Sequence, residues 1–135
     1  MNLAVIGSGG REHAICYKLK QSKRIKKLIC VPGNAGTQKI AKNIEADISN
    51  FDDLYQIIKK NNIDVVIIGP EQPLVDGLVD YLTKKKVKVF DLAVGKKNSN
   101  NLIYINKLKK TSTLSSAMVY SNSIFNKIKR YVFFV

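Results

Sequence analysis

Two near-continuous apolar runs, each ending in glycine, constrain the fold of this chain more than any other feature. Residues 2–7 read NLAVIG and residues 65–70 read VVIIGP. Runs so rich in β-branched residues are typical of strands that are buried on both faces of a parallel sheet. Two shorter runs, KKLICVPG at 26–33 and VKVF at 87–90, predict further strands of the same kind.

Three stretches between these runs are predicted to be helices: residues 11–22, 50–61 and 73–85. In the second stretch Asn50 is the predicted N-cap, and the two aspartates that follow suit the positive end of a helix dipole. In the third, Leu74, Leu78 and Leu82 share one face. Because strands and helices alternate, we expect an α/β fold with a doubly wound parallel sheet. Ligands of such sheets bind beyond the carboxyl ends of the strands.

The charge of the chain is unevenly distributed. The formal net charge is +13 over 135 residues, of which residues 1–91 contribute +5 and residues 92–135, which have no carboxylate, contribute +8. Lysine, asparagine and isoleucine dominate, and a nucleic-acid surface would instead show arginine patches with interleaved aromatic residues. We therefore expect no nucleic-acid partner, and a domain at 1–91 followed by a basic tail at 92–135.

Cysteine content and hydropathy predict a cytoplasmic protein. Cys16 and Cys30 form no CxxC motif, so buried free thiols in a reducing compartment are expected. No secretory signal is visible at the N-terminus. No apolar run approaches the roughly 20 residues that span a bilayer, so we expect no membrane partner.

The glycine-rich turn at residues 7–13, GSGGREH, indicates an anion site. A dinucleotide fingerprint, G-x-G-x-x-G, fails because Glu12 stands at the third glycine, and the second strand is not followed by the usual acidic residue. An NAD(P)-binding domain is therefore the weaker alternative. We expect the N–H groups of Gly9 and Gly10, with Arg11, to bind an anionic group, unless the glycines serve only a tight turn. His13 is expected to be a packed side chain.

Four segments carry a resemblance to a known family: VIGSGGREHAICYKL, VPGNAGT, VVIIGPEQPLVDGLVDYL and VKVF. In order and spacing, about residues 1–90 resemble the N-terminal domain of phosphoribosylamine–glycine ligases. The resemblance implies a Rossmann-like domain that precedes an ATP-grasp domain. It also implies an often monomeric enzyme that joins glycine to 5-phosphoribosylamine with ATP and Mg²⁺ in purine synthesis.

The resemblance also implies a substrate site for 5-phosphoribosylamine or glycinamide ribonucleotide. In a related ATP-grasp enzyme, the equivalents of Gly10, Arg11 and Glu71 contact the nucleotide substrate. Backbone donors and an arginine suit a phosphate, and Glu71, between two prolines, would orient the amine. Gly9 and, with less support, Asn34 complete the predicted substrate-binding set. No catalytic residue and no metal ligand is predicted.

The chain departs from the family after residue 90. The family continues with Gly-Pro-Ser and a Leu-Glu-x-Ser helix, whereas residues 91–135 match no part of the ATP-grasp pattern and hold no carboxylate after Asp91. Carboxylate oxygens are the usual ligands of Mg²⁺. We therefore expect this chain to bind neither ATP nor Mg²⁺ and to be inactive alone. A stand-alone phosphosugar-binding module without catalysis remains an alternative.

A shift of reading frame would explain this departure. With one extra base before the codon for Asp91, residues 91–93 can be read as Gly-Pro-Ser, and residues 98–102 as Lys-Leu-Glu-Gln-Ser. A tail of that origin was not selected to pack, so we expect it to be poorly ordered. Sequencing the DNA tests this prediction: codons that cannot yield both motifs in the other frame would refute it.

Overall fold

Strands and helices alternate along the computed structural model, which describes residues 1–91. The strands are β1 (Asn2–Gly7), β2 (Lys27–Pro32), β3 (Lys42–Asn43), β4 (Val65–Ile68) and β5 (Lys88–Asp91). The helices are α1 (Gly10–Lys20), α2 (Phe51–Lys60), α3 (Gln72–Val75) and α4 (Leu78–Lys84), with a short 3-10 helix at Thr37–Lys39.

The five strands form one parallel sheet in the order β3-β2-β1-β4-β5. Strand β1 lies at the centre, with Ile6 opposite Val31 of β2 and Ile68 of β4. The chain moves outward from β1 in one direction and then returns to add β4 and β5 on the other side. This order confirms the predicted α/β fold with a doubly wound parallel sheet.

Strands β1, β2 and β4 bury alternate residues on the two faces of the sheet, whereas the edge strands β3 and β5 are partly exposed. Ala4 and Ile6 of β1 pack in a cluster with residues of α2 and α4, among them Leu54 and Leu82. The intervening residues of β1 are equally buried, and α1 packs against β1 and β2. Burial on both faces explains why the strands read as continuous apolar runs. No helix within residues 1–91 is long and apolar enough to cross a membrane.

Helix α2 begins as its sequence predicts. The side chain of Asn50 accepts a hydrogen bond from the backbone N–H of Asp53 at 3.2 Å, which confirms the predicted N-cap. The hydroxyl of Tyr81 in α4 donates to the carboxylate of Asp52, and this hydrogen bond raises the pKa of Tyr81 to about 12. The two helices are thus joined at their exposed sides.

The predicted helix at residues 73–85 is wrong in one respect. It is divided into α3 and α4 at Gly77, whose φ of +93° lies in the left-handed region, a conformation that glycine adopts readily and other residues avoid. Leu78 and Leu82 are nevertheless buried together, and Leu74 packs against them. The two-residue strand β3 was not predicted, because so short an edge strand has no periodic pattern.

The described residues belong to a compact unit at residues 1–93. The predicted boundary after residue 91 stays a prediction. The basic tail predicted at 92–135, with its expected lack of order, lies outside the described residues.

Removing core volume should destabilise this unit far more than truncating an apolar side chain at the surface. Leu82 is fully buried, whereas Val75 is 70% exposed. We expect Leu82→Ala to lower the free energy of unfolding by about 2–5 kcal/mol, because it loses apolar burial and leaves a cavity. Val75→Ala, the control, should change it by less than about 0.5 kcal/mol. Urea unfolding measures both, and equal effects would contradict the described core.

Candidate functional site

The turn between β1 and α1 lies at the carboxyl end of the central strand. Gly7 ends β1, Gly9 is the N-cap of α1, and Gly10 is its first residue. The first backbone N–H groups of a helix have no acceptor within the helix. Within residues 1–91, the N–H groups of Gly10 and Arg11 have none elsewhere either. This end of α1 therefore offers hydrogen-bond donors to an anion.

The carboxylate of Glu12 lies beneath this turn. Its Oε2 accepts a hydrogen bond from the N–H of Gly9 at 2.6 Å, an interaction of the kind seen in a capping box. The residue is only 3% exposed. Its other oxygen, Oε1, is buried and accepts no hydrogen bond from any described residue, although the Nε of Arg11 lies 3.6 Å away.

Glycines make the space that this carboxylate fills. A Cβ added to Gly7 would lie 2.8 Å from Cγ of Glu12, and one added to Gly69 would lie 2.6 Å from its Cδ. A Cβ on Gly9 would approach Oε2 to 2.7 Å. All three distances are shorter than real Cβ contacts. The turns after β1 and β4 therefore approach each other closely, with Glu12 between them.

The turn after β2 is tied to the glycine turn by Asn34. Its Nδ2 donates to the carbonyl oxygens of Ser8 and Gly9 at 2.7 and 3.3 Å. Its Oδ1 accepts from the N–H groups of Gly36 and Thr37 at 2.8 and 2.9 Å. The amide nitrogen of Asn34 thus joins the two turns, and its amide oxygen fixes the turn that contains it.

Thiols and an imidazole pack beneath and beside these turns. Cys30 in β2 donates through its Sγ to the carbonyl oxygen of Gly7 at 3.4 Å. A hydrogen bond with Cys30, together with burial, raises the pKa of the Cys16 thiol. Both cysteines are free and buried, as predicted. The ring of His13 packs over Gly36, where an added Cβ would lie 2.9 Å from Cδ2, which agrees with the prediction of a packed histidine.

The turn after β4 carries Glu71. It follows Gly69 and Pro70, immediately precedes α3, and is exposed. Because β1 and β4 are parallel neighbours in register, their carboxyl ends lie at the same edge of the sheet. Glu71 therefore lies on the same edge as Gly10 and not on the opposite one.

The five predicted substrate-binding residues all follow strands β1, β2 or β4 at this edge, although binding by them stays a prediction. Two of them already have structural roles: the N–H of Gly9 donates to Glu12, and the amide of Asn34 joins two turns. Gly10, Arg11 and Glu71 present exposed groups. The important residue missed from the sequence is Glu12. The signal was its position three residues after the N-cap, which is typical of a capping box.

A model of the family described as phosphoribosylglycinamide synthetase, N domain, matches residues 1–98. The chain belongs to this family. It is 47% identical over 89 residues to a phosphoribosylamine–glycine ligase of Rhodopirellula baltica, an alignment that covers 66% of this chain and 20% of that protein. It is 35% identical over 134 residues to a bifunctional purine biosynthetic protein of Dictyostelium discoideum, an alignment that covers 97% of this chain and 16% of that protein.

The chain therefore spans about a fifth of the length of these synthetase relatives. The Dictyostelium alignment extends through most of residues 92–135, as expected if these residues are read in the family's own frame. The reading-frame hypothesis stays a prediction. The fold is also similar to dTDP-glucose 4,6-dehydratase of Bacillus anthracis, solved in complex with NAD. That likeness has a TM-score of 0.52 and 20% identity, over 73% of this chain and 41% of that one. It shows the fold alone.

The close contact between Gly69 and Glu12 predicts a steric conflict that a second substitution relieves. We expect Gly69→Ala to lower the free energy of unfolding by about 1–3 kcal/mol, because the new methyl group collides with the carboxylate. Gly10→Ala is the matched control, since nothing lies within 4 Å of its added Cβ. Urea unfolding measures each variant.

The double variant Glu12→Ala with Gly69→Ala isolates the contact. Without the carboxylate, the added methyl should cost less than it does in the presence of Glu12, and the two changes should not add. Strict additivity, or a Gly69→Ala protein as stable as Gly10→Ala, would contradict the contact.

Proposed function

We propose that residues 1–91 bind 5-phosphoribosylamine, or the glycinamide ribonucleotide formed from it, at the edge of the sheet where β1 and β4 end. The supporting observation is the position of the exposed first turn of α1 on the same edge as Glu71. One side of this edge offers hydrogen-bond donors and a cation, and the other offers a carboxylate. A phosphosugar amine has complementary groups at its two ends.

The phosphate is assigned to α1. The backbone N–H groups of Gly10 and Arg11 point out of a helix N-terminus, where the helix dipole favours negative charge. The Arg11 side chain is 40% exposed, so its guanidinium can reach a ligand while its Nε stays near Glu12. Charge-assisted hydrogen bonds of this kind are stronger than those between neutral groups.

The amine is assigned to Glu71. Pro70 and Pro73 stand on either side of it, and each proline restricts the backbone. A carboxylate on such a restricted backbone segment can orient an amine for attack on an acyl group, which lowers the entropy cost of the reaction. Glu71 would therefore position the substrate, and Gly9 and Asn34 would support the turns that bind it.

The complete ligation is proposed for the longer proteins of the family, and this chain supplies substrate binding. The shared ligase name of the relatives is consistent with the use of ATP. The donor set of residues 1–91 does not fit Mg²⁺, since no three His, Cys, Asp or Glu side chains converge within that range. A metal is therefore not part of the proposal.

The proposal includes no nucleic-acid partner and no membrane partner, and it takes the chain to be a monomer. It places the protein in the cytoplasm, where thiols such as Cys16 and Cys30 stay reduced.

Titration calorimetry with glycinamide ribonucleotide tests the proposal. Arg11→Ala should weaken binding by about 1.5–3 kcal/mol, the usual contribution of a hydrogen bond to a charged group. The affinity of Arg11→Ala for ribose 5-phosphate should fall by a similar factor, because this ligand keeps the phosphate that Arg11 binds. Arg24→Ala is the matched control, since it removes the same charge from the segment between α1 and β2, at the opposite edge of the sheet.

Two results would contradict the proposal. The first is the absence of any binding of glycinamide ribonucleotide by the folded chain of 135 residues. The second is an equal loss of affinity in Arg11→Ala and Arg24→Ala, which would reduce the role of Arg11 to net charge.

A further inference from the structure

We infer that Glu12 is a specificity-determining residue: its side chain excludes the diphosphate of a dinucleotide from the N-terminus of α1. This inference concerns what the site rejects, so it stands whether or not the proposed phosphosugar binds. It follows from the burial of Glu12, its hydrogen bond to Gly9 and the glycines around it.

The position of Glu12 is the position at which dinucleotide-binding proteins of this fold carry a third glycine. In G-x-G-x-x-G turns, the second glycine lets the backbone approach the diphosphate, and the third lets the helix pack closely on the strands. This chain has Gly7 and Gly9 in the first two places and Glu12 in the third. The residue beneath the turn is thus a long charged side chain at the place where dinucleotide-binding turns have the smallest one.

The side chain of Glu12 uses both the space and the donor that a diphosphate needs. It is buried between the turns that follow β1 and β4, close to Gly7 and Gly69. Its Oε2 takes the N–H of Gly9 at 2.6 Å, the donor at the point of closest backbone approach. A diphosphate placed there would lose that hydrogen bond and collide with the Glu12 side chain.

Donors farther along the helix remain accessible. The N–H groups of Gly10 and Arg11 donate to no acceptor among the described residues, and Gly10 has nothing within 4 Å of its added Cβ. A single phosphate group can therefore use these outer donors, whereas a diphosphate that spans the turn meets Glu12. The domain would select phosphomonoesters over dinucleotides because the long side chain of Glu12 fills the space that a diphosphate needs.

Titration of NAD⁺ into the full chain tests this inference with three proteins. The unaltered chain should bind NAD⁺ weakly, with a dissociation constant of about 1 mM or more that serves as the reference for both variants. Glu12→Gly restores the third glycine and frees the N–H of Gly9, and it should bind NAD⁺ at least tenfold more tightly. Because the end of β2 is unchanged in every variant, the ratio of affinities reports on position 12 alone.

Glu12→Gln is the matched control. It removes the charge but keeps the volume and an oxygen that can accept from Gly9, so its affinity for NAD⁺ should stay within threefold of that of the unaltered chain. Circular dichroism verifies that each variant is folded, and Glu12→Ala replaces Glu12→Gly if the latter unfolds.

Three outcomes would overturn the inference. They are tight binding of NAD⁺ by the unaltered chain, no gain in affinity in a folded Glu12→Gly or Glu12→Ala protein, and a gain in Glu12→Gln equal to that in Glu12→Gly. The last would assign the exclusion to charge and not to the space that the side chain fills.

Discussion

The hydrogen bond from the N–H of Gly9 to the Glu12 carboxylate fixes the start of α1 at the edge of the sheet where the candidate site lies. A buried carboxylate is unfavourable unless its oxygens are paired, and Glu12 obtains one partner from the N-cap of its own helix and a second from the charge of Arg11. The turns after β1 and β4 can close around it only because glycines occupy the nearest positions. The close approach of these turns therefore leaves room for the Glu12 side chain and for no added Cβ at Gly7, Gly9 or Gly69.

Residues at the carboxyl edge of the sheet divide into those whose polar groups pair within the protein and those whose polar groups are available to a ligand. Asn34 donates to the glycine turn, Thr37 donates to Asn34 within the turn after β2, and Gly9 donates to Glu12, so these polar groups are paired within the protein. Gly10, Arg11 and Glu71 remain exposed. A ligand site of this kind is preorganised, since the supporting hydrogen bonds exist before binding and need not form at its expense.

Local patterns predicted most of the fold. The apolar runs identified β1, β2, β4 and β5. In β1, β2 and β4, burial on both faces removes the usual alternation of polar residues, whereas β5 is an edge strand with an exposed Lys88. The N-cap at Asn50 was predictable because its interaction lies within four residues. The break at Gly77 was missed, since a helical pattern of leucines continues through it. The two-residue β3 was missed because it depends on pairing with β2 and has little pattern of its own.

The sequence by itself determined the alternation of strands and helices, the family resemblance and the set of residues that follow strands at one edge, because each of these depends on neighbours along the chain. Tertiary structure decided which of those residues are engaged internally. That Glu12 is buried against Gly69, and that Asn34 reaches Ser8, depends on the spacing of adjacent parallel strands. Residues far apart in the chain meet there, and no local pattern encodes the distance between them.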